Sequence, residues 1–133
     1  MRSTLLAAAA LAVLAAPLRA DETAIRGVID DQIAAFRQSD VEGAFGYASP
    51  SIQGLFGSPS NFGRMVEQGY PMVWRPAEVE YLRADPRGPG WDQDVLITDG
   101  AGRLHVLRYS MVETATGWRI DGVRILDAPE VGA

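Results

Sequence analysis

His105 is the only histidine in the chain, and histidine is the side chain whose ordinary pKa best suits proton transfer near neutral pH. It alternates with Leu107, Tyr109 and Met111, so in a strand all four share a face. A neutral imidazole in a pocket can act as a general base. No nucleophile or partner acid is fixed beside it, and the favoured reading is a hydrogen-bonded histidine of the core or of a strand end. Asp94 and Asp121 come next, because apolar walls raise a carboxyl pKa towards acid–base work. Asp94 starts a strand, where carboxylates usually meet water. Asp121 stands two residues from Arg119, which reads as a solvent-facing charge pair. No catalytic residue is assigned on this basis.

Other chemistries lack their residues. There is no cysteine and no Asp-rich loop with calcium spacing, so no metal site is assigned. All twelve basic residues are Arg, which removes Schiff-base chemistry. Ser49, Ser51, Ser58 and Ser60 read as caps and turns, since none sits in a nucleophile-elbow pattern. Gly100 and Gly102 belong to a hairpin turn with no helix after them to cradle a phosphate. No cofactor is implied.

Binding chemistry has better material. Tyr70, Met72 and Trp74 crowd into a stretch that also holds Pro71 and ends at Pro76. Such a stiff segment is either an aromatic rim at a pocket mouth or a plug for the open end of a core, and the plug is the simpler reading.

These side chains need elements to hold them. Apolar Ile25, Val28, Ile29, Ile33 and Phe36 recur in steps of three and four, predicting a helix over 21–38. Gly27 inside it suggests a close approach to another backbone. Ser39 with Glu42 three on predicts a capping box and a second helix to about 48, which Ser49-Pro50 breaks. Ser58-Pro59 opens a third helix, striped by Phe62, Met65 and Val66 and closed by Gly69. Strands are then expected at 78–83, 93–98, 104–113 and 118–126, with a plain loop over 85–90. Trp118 and Ile120 are out of phase with Val123 and Ile125, and a bulge at Gly122 would return all four to one face. Pro129 and the last two residues read as a tail.

The chain starts with the layout of a secretory signal peptide over residues 1–20. Arg2 is followed by an apolar run over 5–16, then Pro17, then Ala20 ahead of charged Asp21-Glu22. That run is about 12 residues, against about 20 for a spanning helix, so cleavage after Ala20 is expected and no stable membrane anchor remains. The absence of cysteine also excludes a lipoprotein anchor and fits a bacterial periplasm, where disulfides are optional. Residues 21–133 form one domain. The net charge of −5 becomes −7 once Arg2 and Arg19 leave with the leader. The Arg residues are scattered, so neither a nucleic-acid stripe nor a polybasic membrane patch exists.

Helices followed by a strand meander give an α+β fold that resembles the NTF2-like, cystatin-like cone: three N-terminal helices on a curved antiparallel sheet of about four strands. Closer resemblance lies in Ala48-Ser49-Pro50-Ser51-Ile52-Gln53, Leu55-Phe56-Gly57, Phe62-Gly63-Arg64-Met65-Val66, Gly69-Tyr70-Pro71-Met72-Val73-Trp74-Arg75-Pro76 and Gly117-Trp118-Arg119-Ile120-Asp121-Gly122. These segments resemble the exported bacterial family called domain of unknown function 4864. The resemblance implies fold and export, and it carries over no activity and no catalytic residue.

Three functional readings follow. The favoured one is an exported, non-catalytic binding or accessory module. Its cone would hold a small, partly apolar ligand against Tyr47, Tyr70, Trp74, His105 and Tyr109. The second is an isomerase or hydratase with a carboxylate or His105 as base, which requires that group and a tyrosine hydroxyl or histidine to converge inside the cone. The third is a homodimer or partner-binding module using the outer sheet face, where Leu104, Val106 and Val112 surround Arg108.

Overall fold

The computed structural model describes residues 2–127, with side chains from residue 20 onward; the expected tail from Pro129 lies outside the described residues. α1 (Arg2–Arg37) runs through the expected cleavage point after Ala20. No described helix is long and apolar enough to cross a membrane. From Ile25 onward α1 packs as its periodicity predicts, with Ile25, Ile29, Ile33 and Phe36 buried. Burying each such side chain is worth about 1.5–3 kcal/mol. The helix ends at Arg37, and Ser39 beyond it takes a left-handed φ of 57°. Ser39 does not cap the next helix, and the expected Ser39–Glu42 capping box does not form. Asp40 caps α2 (Val41–Gly46), its Oδ1 accepting from Gly43 N at 3.0 Å.

Two short helical segments were not foreseen. Ser49-Pro50 does not simply break the chain: Ser49 caps α3 (Pro50–Phe56) by accepting from Ile52 N at 3.2 Å, and Pro50 takes the first turn. α4 (Pro59–Gly69) starts at the expected Ser58-Pro59 signal. The Tyr70–Pro76 stretch, expected as a stiff connector, contains α5 (Pro71–Trp74).

The strands are β1 (Glu78–Arg87), β2 (Gly90–Thr98), β3 (Leu104–Thr114) and β4 (Gly117–Ile125). They form one antiparallel sheet in the order β1-β2-β3-β4. The fold is thus α+β, helices followed by a four-strand meander, as expected. β1 reaches Arg87 where a loop was predicted, because Pro86 lies on an edge strand and its missing N–H costs no ladder bond. The bulge in β4 exists, with Asp121 as the extra residue between the Ser110–Gly122 and Met111–Ile120 pairs. It turns Trp118, Ile120 and Val123 to the helix-covered side. A bulge in β1 between Tyr81 and Ala84 leaves carbonyls that Gln93 satisfies: its buried Nε2 donates to Leu82 O and Arg83 O, each at 3.3 Å.

The close helix contact lies at Gly63, not at Gly27. A Cβ on Gly63 would stand 2.5 Å from Val41 Cγ1, whereas one on Gly27 would meet nothing within 4 Å. Gly27→Ala is therefore expected to raise stability by about 0.5–1 kcal/mol. Gly63→Ala should lower it by about 1–3 kcal/mol, because a β-branched valine yields poorly. Thermal unfolding of the two variants checks the opposite signs.

Candidate ligand cavity

Helices and sheet do not close completely. A cavity of about 220 Å³ remains between α1, α3, α4 and the β3–β4 half of the sheet. β3 contributes Tyr109, and the β4 bulge brings Ile120 and Val123 to the same wall. α1 adds Gln32 and Phe36, one turn apart. α4 adds its predicted stripe of Phe62, Met65 and Val66. Ile52, Leu55 and Phe56 of α3 form the remaining side. Leu55 is 73% exposed and marks the rim.

Behind this wall the aromatic rings pack on one another. Phe36 stacks on Phe62 at 5.9 Å and meets Trp74 at 5.5 Å, while Phe45 and Phe56 contact Phe62 at 5.5 and 5.8 Å. Backbone bonds tie α2's end to β4: Tyr47 O accepts from Ile120 N at 2.9 Å, and Ser49 N donates to Ile120 O at 2.8 Å. Ser49 Oγ also donates to Asp121 Oδ1 at 2.7 Å.

Among the described residues no charged side chain lines the cavity, and the polar ones that do are Gln32, Tyr70 and Tyr109. Gln32 Nε2 donates to Ala44 O at 3.1 Å, and Tyr70 Oη donates to Val123 O at 3.1 Å. Tyr109 is fully buried, and its hydroxyl has no hydrogen-bond partner among the described residues. Burial, reinforced by the neighbouring Tyr70, pushes the Tyr109 phenol far above its ordinary pKa.

Of the five residues expected to line a pocket, Tyr70 and Tyr109 do so. Tyr47, Trp74 and His105 do not. Tyr47 caps the end of α2, and the next residue, Ala48, reaches the wall instead. Trp74 lies against Phe36, with Arg75 over its ring at 4.9 Å. His105 shares Tyr109's strand face but sits at the far end of β3. Its Nε2 lies 2.8 Å from Asp99 Oδ2, in a separate depression bordered by α5 and the β2–β3 turn. This contact, followed by the backbone N–H of Arg103, holds the Asp99 carboxyl below its usual range.

The two candidate acids also lie elsewhere. Asp94 is buried on the opposite sheet face, where Arg108 donates to both of its oxygens at 2.8 and 3.0 Å. Asp121 faces Ser49, while Arg119 donates to the carbonyls of Trp118 and Thr116. Asp94 is thus buried where water was expected, and half-buried Asp121 pairs with Ser49 rather than with Arg119. Phe36, Phe62, Met65 and Val66 were legible as apolar stripes but not as a cavity wall. Gln32 carried no signal, being a polar residue in step with the α1 stripe. On the outer sheet face, Leu104 is 66% exposed, but the Asp94–Arg108 pair and an Arg87–Asp92 pair at 2.9 Å run between its apolar side chains.

No curated protein matches this chain. Among solved structures it is similar to the crystal structure of an NTF-2 like protein of unknown function from Burkholderia xenovorans LB400. The two share 17% sequence identity with a TM-score of 0.48, over 83% of this chain and 91% of that one. A family model matches residues 18–133, and the chain belongs to the family it describes, Domain of unknown function (DUF4864).

Proposed function

We propose that this chain is an exported, non-catalytic module that holds a small, partly apolar ligand in the cavity between α1, α3, α4 and β3–β4. The supporting observation is the wall itself: about 220 Å³ left unfilled, lined mostly by aliphatic and aromatic side chains and, among the described residues, by no charged one. An apolar cavity of about 150 Å³ takes up benzene, so this one suits a frame of one or two fused rings or a short acyl chain. A base-catalysed isomerase or hydratase needs a carboxylate or imidazole within reach of bound substrate. Asp94, Asp121 and His105 all lie outside the lining. Export is supported by the layout of residues 1–20 and by a family match that starts only at residue 18.

One preparation tests both halves of the proposal. The full chain is expressed in a bacterial host and recovered from the periplasm, where intact mass should report a product starting at Asp21. Indene, a bicyclic hydrocarbon, is then titrated during thermal unfolding. Ligand at about 100 times its Kd stabilises a folded protein by about 2.7 kcal/mol, a rise of several degrees in a domain of this size. Val123→Phe, which fills the cavity from a strand position, should remove that rise while melting within a few degrees of wild type. An indene effect absent from wild type, or equal in both proteins, defeats the binding reading.

A further inference from the structure

We infer that the ligand is a single-tailed amphiphile, whose hydrocarbon chain enters the cavity tail first and whose polar head stays in water beside Leu55; this rests on the cavity binding proposed above. The wall is graded from dry to wet. Phe36 and Tyr109 are fully buried, Ile52, Met65 and Val123 are half-buried, and Leu55 is 73% exposed. The cavity is therefore closed beneath α1 and β3 and opens on the α3 side. Its interior offers a head group little. Gln32 Nε2 already donates to Ala44 O, Tyr70 Oη already donates to Val123 O, and Tyr109 Oη is buried inside the protein. Among the described residues no charged side chain lines the wall to compensate an ion removed from water. A neutral polar group drawn inside without a partner would lose about five- to a hundredfold in affinity. A tail gains from the same wall, about three- to fourfold in affinity for each methylene buried. A cavity of about 150 Å³ takes up benzene, so about 220 Å³ holds a tail of about nine carbons.

Calorimetric titrations of the periplasmic product, below the micelle concentration of each probe, test tail and head separately. Straight-chain carboxylates from butanoate to dodecanoate should bind about three- to fourfold tighter per methylene and level off near nine carbons. 1-Octanol should bind at least about fivefold tighter than 4-octanol, whose hydroxyl must enter with the chain. Leu55→Arg should tighten octanoate about two- to fivefold relative to 1-octanol, and Leu55→Glu should weaken it by as much, because the new charge stands where the head stays. Leu55 is largely exposed, so both variants should melt close to wild type.

Equal affinity for 1-octanol and 4-octanol overturns the inference, since a polar group would then be accepted inside. So does affinity that keeps rising through dodecanoate, or an octanoate-to-octanol ratio that neither Leu55 variant moves. Indene binding with no chain binding overturns it while leaving the cavity reading intact. If indene and the chains all fail to bind wild type, the cavity reading fails, and this inference fails with it.

Discussion

Phe36→Ala is expected to cost about 3–5 kcal/mol, the usual range for deleting a buried aromatic ring. A domain of this size typically has about 5–15 kcal/mol in hand, so the variant keeps a narrow margin or unfolds. Phe36 has no exposed surface and touches both Phe62 and Trp74, so its loss loosens α1, α4 and α5 together. Its carbonyl accepts from Arg75, which also donates to Ser39 Oγ at 2.9 Å, so the same residue anchors the end of α1. With a urea slope of about 1–3 kcal/mol per M, the unfolding midpoint should fall by roughly 2 M.

Position makes this variant more informative than a generic core deletion. Phe36 lines the cavity, whereas Ile29, equally buried on the same helix, does not. Ile29→Ala should cost about 2–5 kcal/mol. Saturating indene should return a substantial part of the stability to Phe36→Ala, where the new space joins the existing cavity, and little to Ile29→Ala, where it does not. Equal recovery in both, read from urea midpoints with and without indene, would mean that the ring's site and the cavity are not continuous.

What the sequence reveals here follows from which physical signals are local. The α1 stripe is a 3.6-residue rhythm, and Ile25, Ile29, Ile33 and Phe36 are buried where that rhythm puts them. The β4 bulge was readable because Trp118 and Ile120 fall out of step with Val123, and a sheet with one covered face cannot tolerate that slip. α3 is hidden because Ser49-Pro50 follows a helix directly, where proline signals a break. The same cap-then-proline pair signals a helix start at Ser58-Pro59, and both serve that role. Periodicity also names a face without saying how far along it a cavity lies. Tyr109 and His105 share the inner face of β3, yet the first sits at the cavity and the second at the strand's end beside Asp99. Asp94 depended on strand register. It faces Arg108 only because β2 and β3 pair as they do, and no window of sequence contains that alignment.

Arg108→Ala tests that register directly and is expected to cost about 2–3 kcal/mol, less than the 3–5 typical of a fully buried pair. The discount is for solvent, because the Arg108 side chain is 27% exposed against 10% for Asp94. Removing the guanidinium leaves the Asp94 carboxylate on the outer face without the two bonds that compensate its desolvation. Arg108→Lys should recover only part of the loss, since an ammonium cannot present two parallel donors to one carboxylate. Replacing both residues by valine should recover more. The side chains would then stand opposite each other beside the half-buried Leu96–Val106 pair, on a strand surface that favours β-branched residues. Removing the pair as a whole also removes its desolvation cost, which a single substitution cannot do. Urea unfolding of the two single variants and the double valine variant, at low protein concentration, gives the order. If Arg108→Ala costs less than about 1 kcal/mol, the value typical of an exposed ion pair, water reaches Asp94 freely and its burial contributes nothing to the cost.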